Sequence, residues 1–221
     1  MPLIVLLGSC LAAAVMTALV RRYALARAVV DVPNERSLHT APTPRGGGLA
    51  IALAALTVHA WLVFEGLIEL RTGLAWGLGA GFLAVLGWVD DHRPLGTALR
   101  FGVQTLVIAA VIASGAGSLG DWTVAGVLHA VAAIVALVWF VNLYNFMDGA
   151  DGLAGTQSVL TALLLATLAL GAGERGPGLA LLALGGASAG FLRHNLPPAK
   201  IFLGDVGSYF LGGYLGLYLW Q

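Results

Sequence analysis

The sequence predicts an all-α fold: a polytopic transmembrane helical bundle of about eight spans, with its functional groups on the cytoplasmic loops. Three observations carry that prediction. The 221 residues are 59% hydrophobic and only 10% charged, with a mean hydropathy of +0.90, whereas a soluble domain carries about 25% charged residues. Apolar runs near the length of a bilayer crossing follow one another along the chain. The 31 glycines suit close helix packing in lipid.

The elements read in order as follows. The first span, roughly 3–20, ends at Arg21-Arg22; Met1-Pro2-Leu3 places no basic region before it, so it reads as a retained span and not as a signal peptide. The second, roughly 48–67, opens after the glycines Gly46-Gly47. The third, roughly 74–89, stops at Asp90-Asp91, and the fourth covers roughly 99–116. The fifth, roughly 122–142, runs up to a polar string that begins at Asn145. The sixth, roughly 153–171, starts where that string ends. The seventh, roughly 177–192, is short, and the eighth, roughly 206–221, follows Asp205. Cys10 lies alone in the first run, which excludes a disulfide framework and suits a packing residue. The net charge of zero suggests no nucleic acid.

Charge is unevenly placed. The loops after spans one, three, five and seven hold nine of the eleven basic residues, and Arg71 and Arg175 are the remaining two. The positive-inside rule therefore places the odd-numbered loops in the cytoplasm and both termini outside. The same loops hold seven of the eleven acids: Asp31, Glu35, Asp90, Asp91, Asp148, Asp151 and Asp205. The rule concerns lysine and arginine only, so the acids need another reason. Carboxylates beside a bilayer are costly unless they are paired or line a wet cavity.

Asn145-Phe146-Met147-Asp148-Gly149-Ala150-Asp151-Gly152-Leu153 is the most informative stretch. A single aspartate there would be a helix cap. Asn145, Asp148 and Asp151 at threefold spacing, with glycines between, suit a ligand near the backbone. Asp90 and Asp91 end a span, where negative charge opposes the helix dipole by about 0.3–1 kcal/mol each. They read as a base and a cation-holding acid, against the plainer reading of a solvated loop start. Asp205 reads either as an N-cap or as a metal ligand, and the glycines and amides around it suit a phosphate at a helix N-terminus. In the first loop Arg36, His39 and Arg45 are suited to phosphate oxygens; the plainer reading is charge beside anionic lipid headgroups. Phe202 reads as interfacial packing or as a platform for a base. His59 and His129 read as packed polar residues. No cysteine–histidine cluster suggests zinc, whereas aspartate oxygens near phosphates favour Mg2+ or Mn2+.

Four motifs in order resemble the polyprenyl-phosphate N-acetylhexosamine-1-phosphate transferases, a membrane glycosyltransferase family that starts lipid-linked cell-envelope polymers. They are Asp31-x-Pro33-x-x-Arg36-x-x-His39 with Pro44-x-Gly46-Gly47; Gly87-Trp88-x-Asp90-Asp91 with Arg100 and Gln104; Asn142-x-x-Asn145-Phe146-Met147-Asp148-Gly149-x-Asp151-Gly152-Leu153-Ala154; and Asn195-x-x-Pro198-Ala199-x-Ile201-Phe202-x-Gly204-Asp205-x-Gly207-Ser208. The resemblance runs from about residue 21 to the C-terminus. It implies transfer of a sugar-1-phosphate from a UDP-N-acetylhexosamine to undecaprenyl phosphate, with release of UMP, at a bacterial inner membrane. It casts Asp90 as the base or nucleophile, with Asp91 beside it, and Asp205 as the Mg2+ ligand. It places Asn145, Asp148 and Asp151 at the nucleotide, Phe202 on the uracil, and Arg45 with the first loop near the phosphates. A homodimer is expected on the same ground. The family has about ten spans and a histidine-rich loop before the last. The expectation here is therefore a single integral membrane domain over 1–221 that lacks the last two spans. Competing readings are an intramembrane prenyltransferase, an ion-binding transporter and a ligand-binding member without turnover. A transporter predicts acids near the midplane of its helices, whereas these cluster at helix ends.

Overall fold

The computed structural model describes residues 1–33, 41–114 and 123–220. Among these lie eight helices: α1 (Pro2–Ala26), α2 (Gly48–Phe64), α3 (Leu70–His92), α4 (Thr97–Ala113), α5 (Val124–Met147), α6 (Leu153–Gly171), α7 (Arg175–Asn195) and α8 (Gly204–Trp220). Helices α1, α3, α5 and α6 are long and apolar enough to cross a membrane, and α2 and α4 are shorter apolar helices. The chain is an all-α, polytopic membrane protein.

Helices α7 and α8 form the centre. α7 packs against α1, α6 and α2, while α8 packs against α3, α5 and α2. Most residues of both helices are buried. Their surroundings are therefore protein and not lipid, which is why they can carry so many glycines and polar groups without the apolarity of an outer span. The outer helices present leucine, valine and phenylalanine outward, as at Leu11, Phe82, Leu106 and Leu164.

Close approach depends on glycine. A Cβ on Gly48 would strike the backbone of Gly207, and one on Gly87 would strike the Asp205 carbonyl. These two contacts bring the first turn of α8 against α2 and against the last turns of α3. On the far side of the core, the His59 ring lies between the Tyr214 hydroxyl and the Gly73 carbonyl, each 2.9 Å away, and Trp76 donates to the Tyr214 carbonyl at 2.8 Å. His59 is the satisfied core histidine expected of it. His129 packs on Trp220 with ring centres 5.1 Å apart.

The helices outrun the hydropathy runs that predict them. α3 continues to His92, so Asp90 and Asp91 belong to its final turn. α5 continues to Met147, so Asn142 and Asn145 are helical. α7 has 21 residues and is not short. Hydropathy marks where lipid ends, whereas a helix continues until its hydrogen-bond ladder is interrupted. A two-stranded antiparallel ribbon, β1 (Val30–Asp31) with β2 (Thr43–Pro44), is an addition that the sequence reading did not foresee. Its register pairs Val30 with Pro44 and Asp31 with Thr43.

The α2–α8 crossing yields a direct test. Gly207→Val should lower the melting temperature in detergent markedly, by the equivalent of about 1–3 kcal/mol or more. Gly102→Ala, where a Cβ meets nothing within 4 Å, should leave it essentially unchanged.

Candidate functional site

The segment between α7 and α8 is the platform of the site, and backbone hydrogen bonds hold it on both sides. Phe202 donates to the Pro44 carbonyl (2.8 Å), Gly47 donates to the Phe202 carbonyl (2.9 Å), and Gly48 donates to the Leu203 carbonyl (2.8 Å). The buried Asn195 accepts from the Gly152 amide at 3.1 Å and donates to the Ile201 carbonyl at 3.0 Å. The glycines of the first loop and of the 148–152 turn are thus tied to one another through residues 195–203.

The start of α8 is capped from other elements. Gly204 has φ +75°, a conformation natural to glycine, and its amide donates to Asp148 Oδ2 at 3.0 Å. The amides of Asp205 and Val206 donate to Asp91 Oδ1 and Oδ2, each at 3.1 Å. Asp91 is 3% exposed, and its compensating cation is Arg45: Nη2 donates to the Asp91 carbonyl at 2.6 Å and Nε lies 3.7 Å from Oδ1. The α8 N-terminus expected to meet a phosphate is therefore already filled by the chain's own carboxylates. Asp91, expected as a second catalytic acid, has both oxygens engaged in holding that helix.

Asp90 is equally fixed. Oδ1 accepts the Leu95 amide at 2.7 Å, while Oδ2 accepts from the Tyr209 hydroxyl at 3.1 Å and from Arg100 Nη1 at 3.3 Å. All three of its partners, an amide, a hydroxyl and a guanidinium, are donors. Arg100 Nη1 also reaches the Tyr209 hydroxyl at 3.5 Å, and Nη2 reaches Thr97 Oγ1 at 3.4 Å.

Asn145 Nδ2 donates to Asp205 Oδ1 and, at 3.1 Å, to Ser208 Oγ, which orients the Asp205 carboxylate. Asp151 Oδ2 accepts the Ala199 amide at 2.9 Å. Asp148 and Asp151 were expected at the start of α6, where either could cap it. They do not: the N-cap of α6 is Gly152, with φ +74° and no side-chain cap, and both aspartates reach across to residues 199–204. Asp148 is half-buried. Burial pushes its carboxyl well above the usual carboxylate range; the Gly204 amide opposes the shift, and the charges of Asp205 and Asp91 add to it. Asp205 also lies near enough to Asp90 and Asp91 for mutual repulsion. Four carboxylates from three helix ends thus share one site, with Arg45 and Arg100 as the facing cations.

Among the described residues, no three histidine, cysteine, aspartate or glutamate side chains converge to enclose a metal. Arg36 and His39 lie outside the described residues. Arg45 and the backbone of Phe202 stand beside the platform. Tyr209 is a neighbour that the sequence reading did not select, and Ser208, which closes the fourth motif, was given no role there. Their signal was positional: both follow Asp205 on α8, Tyr209 at i+4 and Ser208 at i+3, the spacings that share a helix face.

Fold and site together define a polytopic membrane protein whose polar centre is assembled from helix ends on one face. Residues 74–220 match the description "glycosyl transferase family 4", and the chain belongs to that family. It is 32% identical over 223 residues to a probable undecaprenyl-phosphate N-acetylglucosaminyl 1-phosphate transferase of Bacillus subtilis, covering 95% of this chain and 62% of the relative. It is 31% identical over 224 residues to a decaprenyl-phosphate N-acetylglucosaminephosphotransferase of Mycolicibacterium smegmatis, covering 90% and 55%. It is 34% identical over 218 residues to a phospho-N-acetylmuramoyl-pentapeptide-transferase of Picosynechococcus, covering 88% and 57%. The chain spans little more than half the length of these relatives.

Removing the Asp91 side chain leaves two α8 amides without an acceptor and Arg45 without its ion pair, though Arg45 keeps its bond to the residue 91 carbonyl. Asp91→Ala should therefore destabilise the fold by about 2–4 kcal/mol, read as a lowered melting temperature. Asp205→Ala, which uncovers no backbone amide and leaves Asn145 its bond to Ser208, should cost less than half as much in the same assay.

Proposed function

We propose that this protein transfers an N-acetylhexosamine-1-phosphate from a UDP-sugar to undecaprenyl or another polyprenyl phosphate, releasing UMP, as an early membrane step of bacterial cell-envelope polymer synthesis. The observation that carries the reading is the convergence of Asp90, Asp91, Asp148 and Asp205 on one face of the bundle, with Arg45 and Arg100 among them. The names of the relatives support the substrate class. In this reading the arginine-rich face is cytoplasmic and both termini lie outside.

The reaction joins a lipid phosphate oxygen to the sugar-bearing phosphorus and breaks the bond from that phosphorus to the UMP oxygen. Two anions must meet, so the site has to offset their repulsion and hold them in line. The donor set fits Mg2+, which takes one or two carboxylates from a protein and completes its shell with phosphate oxygens and water. Asp205 would hold it, with Mn2+ as an alternative, and Asn145 orients Asp205. When bound, the cation neutralises charge on the phosphates. A lipid phosphate is already ionised at neutral pH, so no strong base is needed. Asp90, with three donors on its oxygens, serves to aim Arg100. Arg45 sits beside the phosphates, joined by Arg36 and His39 of the first loop. Phe202 is pinned through its own amide and carbonyl, so its ring is presented from a fixed backbone to stack on the uracil. Asp148 and Asp151 shape the nucleotide end of the site through residues 199–204.

The test is UMP release by the purified chain with undecaprenyl phosphate, Mg2+ and a panel of UDP-N-acetylhexosamines. Lipid-dependent release is expected with at least one sugar. Asn145→Ala should lower it about 10- to 100-fold, as loss of a residue behind a metal ligand does. A folded protein that releases no UMP with any sugar would refute the transferase reading for this chain.

A further inference from the structure

Helix α3 carries a feature at the end far from its carboxylates. Leu74, Leu78, Phe82 and Val85 are exposed and recur at three- and four-residue spacing, so they form one ridge along the helix. A groove runs along each flank of that ridge. The groove on the α4 side has a volume of about 450 Å3 and is lined in part by Gly79, Val107, Ala110 and Val111, with Arg71 and Ser114 at one end. The groove on the α2 side has a volume of about 510 Å3 and is lined in part by Leu56, His59, Ala60, Gly77 and Gly81. Leu74, Leu78 and Phe82 wall both grooves.

Small residues keep the grooves open. On the α2 flank Gly73, Gly77 and Gly81 recur at every fourth position, and a Cβ on Gly77 would meet the His59 ring at 2.9 Å. On the α4 flank a Cβ on Gly79 would meet Val111 at 2.7 Å, so α4 sits low beside the ridge there. His59 has both ring nitrogens engaged, by the Tyr214 hydroxyl and the Gly73 carbonyl, and so adds no free polar atom to its groove. The walls therefore suit hydrocarbon, and a groove left empty would forfeit the dispersion contacts of its lining.

The occupant is indicated by length, charge and number. Between Gly73 and Val85 the α2-side groove follows α3 for about 18 Å at about 1.5 Å per residue, close to half of a hydrocarbon core about 30 Å thick. Each groove thus has the depth of one leaflet. Arg71 is exposed and stands one turn before Leu74, at the head of the ridge. Among the described residues its guanidinium makes no ion pair or hydrogen bond. Glu69, near enough for the two charges to interact, turns its oxygens to the amides of Arg71 and Thr72. One free cation therefore stands over two apolar grooves. A second copy of the chain fits this face less well. Copies in one membrane share an orientation, so a two-fold contact along the ridge would set one Arg71 beside the other at the same depth.

We propose that the α3 ridge binds one anionic diacyl phospholipid, with its phosphate on Arg71 and one acyl chain in each groove. Asp90 and Asp91 end α3 and Arg71 begins it, so this lipid lies in the leaflet away from the carboxylate site and shares no residue with it. The inference needs neither a sugar donor nor turnover and stands apart from the transferase reading.

The experiment is native mass spectrometry of the full chain in detergent, titrated with phosphatidylglycerol, its single-chain lyso form and phosphatidylcholine. Phosphatidylglycerol should bind most tightly. Arg71→Gln should weaken it about fivefold, Arg71→Lys should restore part of the loss, and Arg175→Gln, the other arginine at this end of the bundle, should change nothing. Ala60 and Ala110 are exposed, so Ala60→Leu and Ala110→Leu each fill one groove without entering the core. Each should weaken phosphatidylglycerol, while the lyso form, which needs one groove, should tolerate either. The proposal is overturned if the lyso form or phosphatidylcholine binds as tightly as phosphatidylglycerol, or if Arg71→Gln or either leucine variant binds like the parent. It is also overturned if Arg175→Gln weakens binding equally, or if the chain is a dimer that the leucine variants dissociate, because a second copy would then fill the grooves. UMP release, assayed in parallel, reports on the transferase reading alone.

Discussion

The hydrogen bonds from the Asp205 and Val206 amides to the Asp91 carboxylate are the contact on which the rest of the site depends. Considered along α3 alone, Asp91 is misplaced, since a negative charge at a helix C-terminus costs about 0.3–1 kcal/mol. Considered across the bundle, the same charge sits at the N-terminus of α8, where the dipole favours it. A hydrogen bond to a charged group contributes about 1.5–3 kcal/mol, and Asp91 accepts two. The two amides and Arg45 offset the penalty on its own helix and part of the cost of burying the carboxylate.

That contact needs backbone to meet backbone. Gly87 lets the end of α3 approach the Asp205 carbonyl, Gly48 and Gly207 let α2 meet α8, and Gly204 turns the chain so that its own amide faces Asp148. With larger residues at these positions the three helix ends would stand apart, and the four carboxylates would be separate solvated charges. The glycines of the centre thus have an electrostatic result: they bring Asp205 close enough to Asp90, Asp91 and Asp148 for the charges to repel one another.

The carboxylates divide their work. Asp91 and Asp151 are committed to backbone amides, Asp90 to Arg100 and Tyr209, and Asp148 to Gly204, while Asp205 is oriented by an amide side chain and covers no backbone group. A substitution at an acid of the first group therefore loosens the scaffold as well as the site. The two arginines that face the cluster are likewise held from behind, Arg45 by the Asp91 carbonyl and Arg100 by Asp90 and Tyr209.

The sequence by itself determined the class of fold, the spacing of the spans, the asymmetry of charge between the two faces and the four loop motifs, because hydropathy and arginine placement are one-dimensional properties that lipid reads directly. Of the residues it named as a site, the fold joins Asp91 to Arg45 and Asp205, Asn145 to Asp205, and Asp148 to the start of α8. What each of them touches was decided by the tertiary structure alone. Local spacing left Asp148 and Asp151 as ligand groups or caps at the start of α6 and made the start of α8 a candidate phosphate site, and both readings considered one helix at a time. An amide and a carboxylate 114 positions apart, as in Asp205 and Asp91, are brought together only by the packing of α3 on α8. Tyr209 and Gly204 acquire their roles in the same way, because an orphan amide at a helix end binds whichever acceptor the fold brings to it.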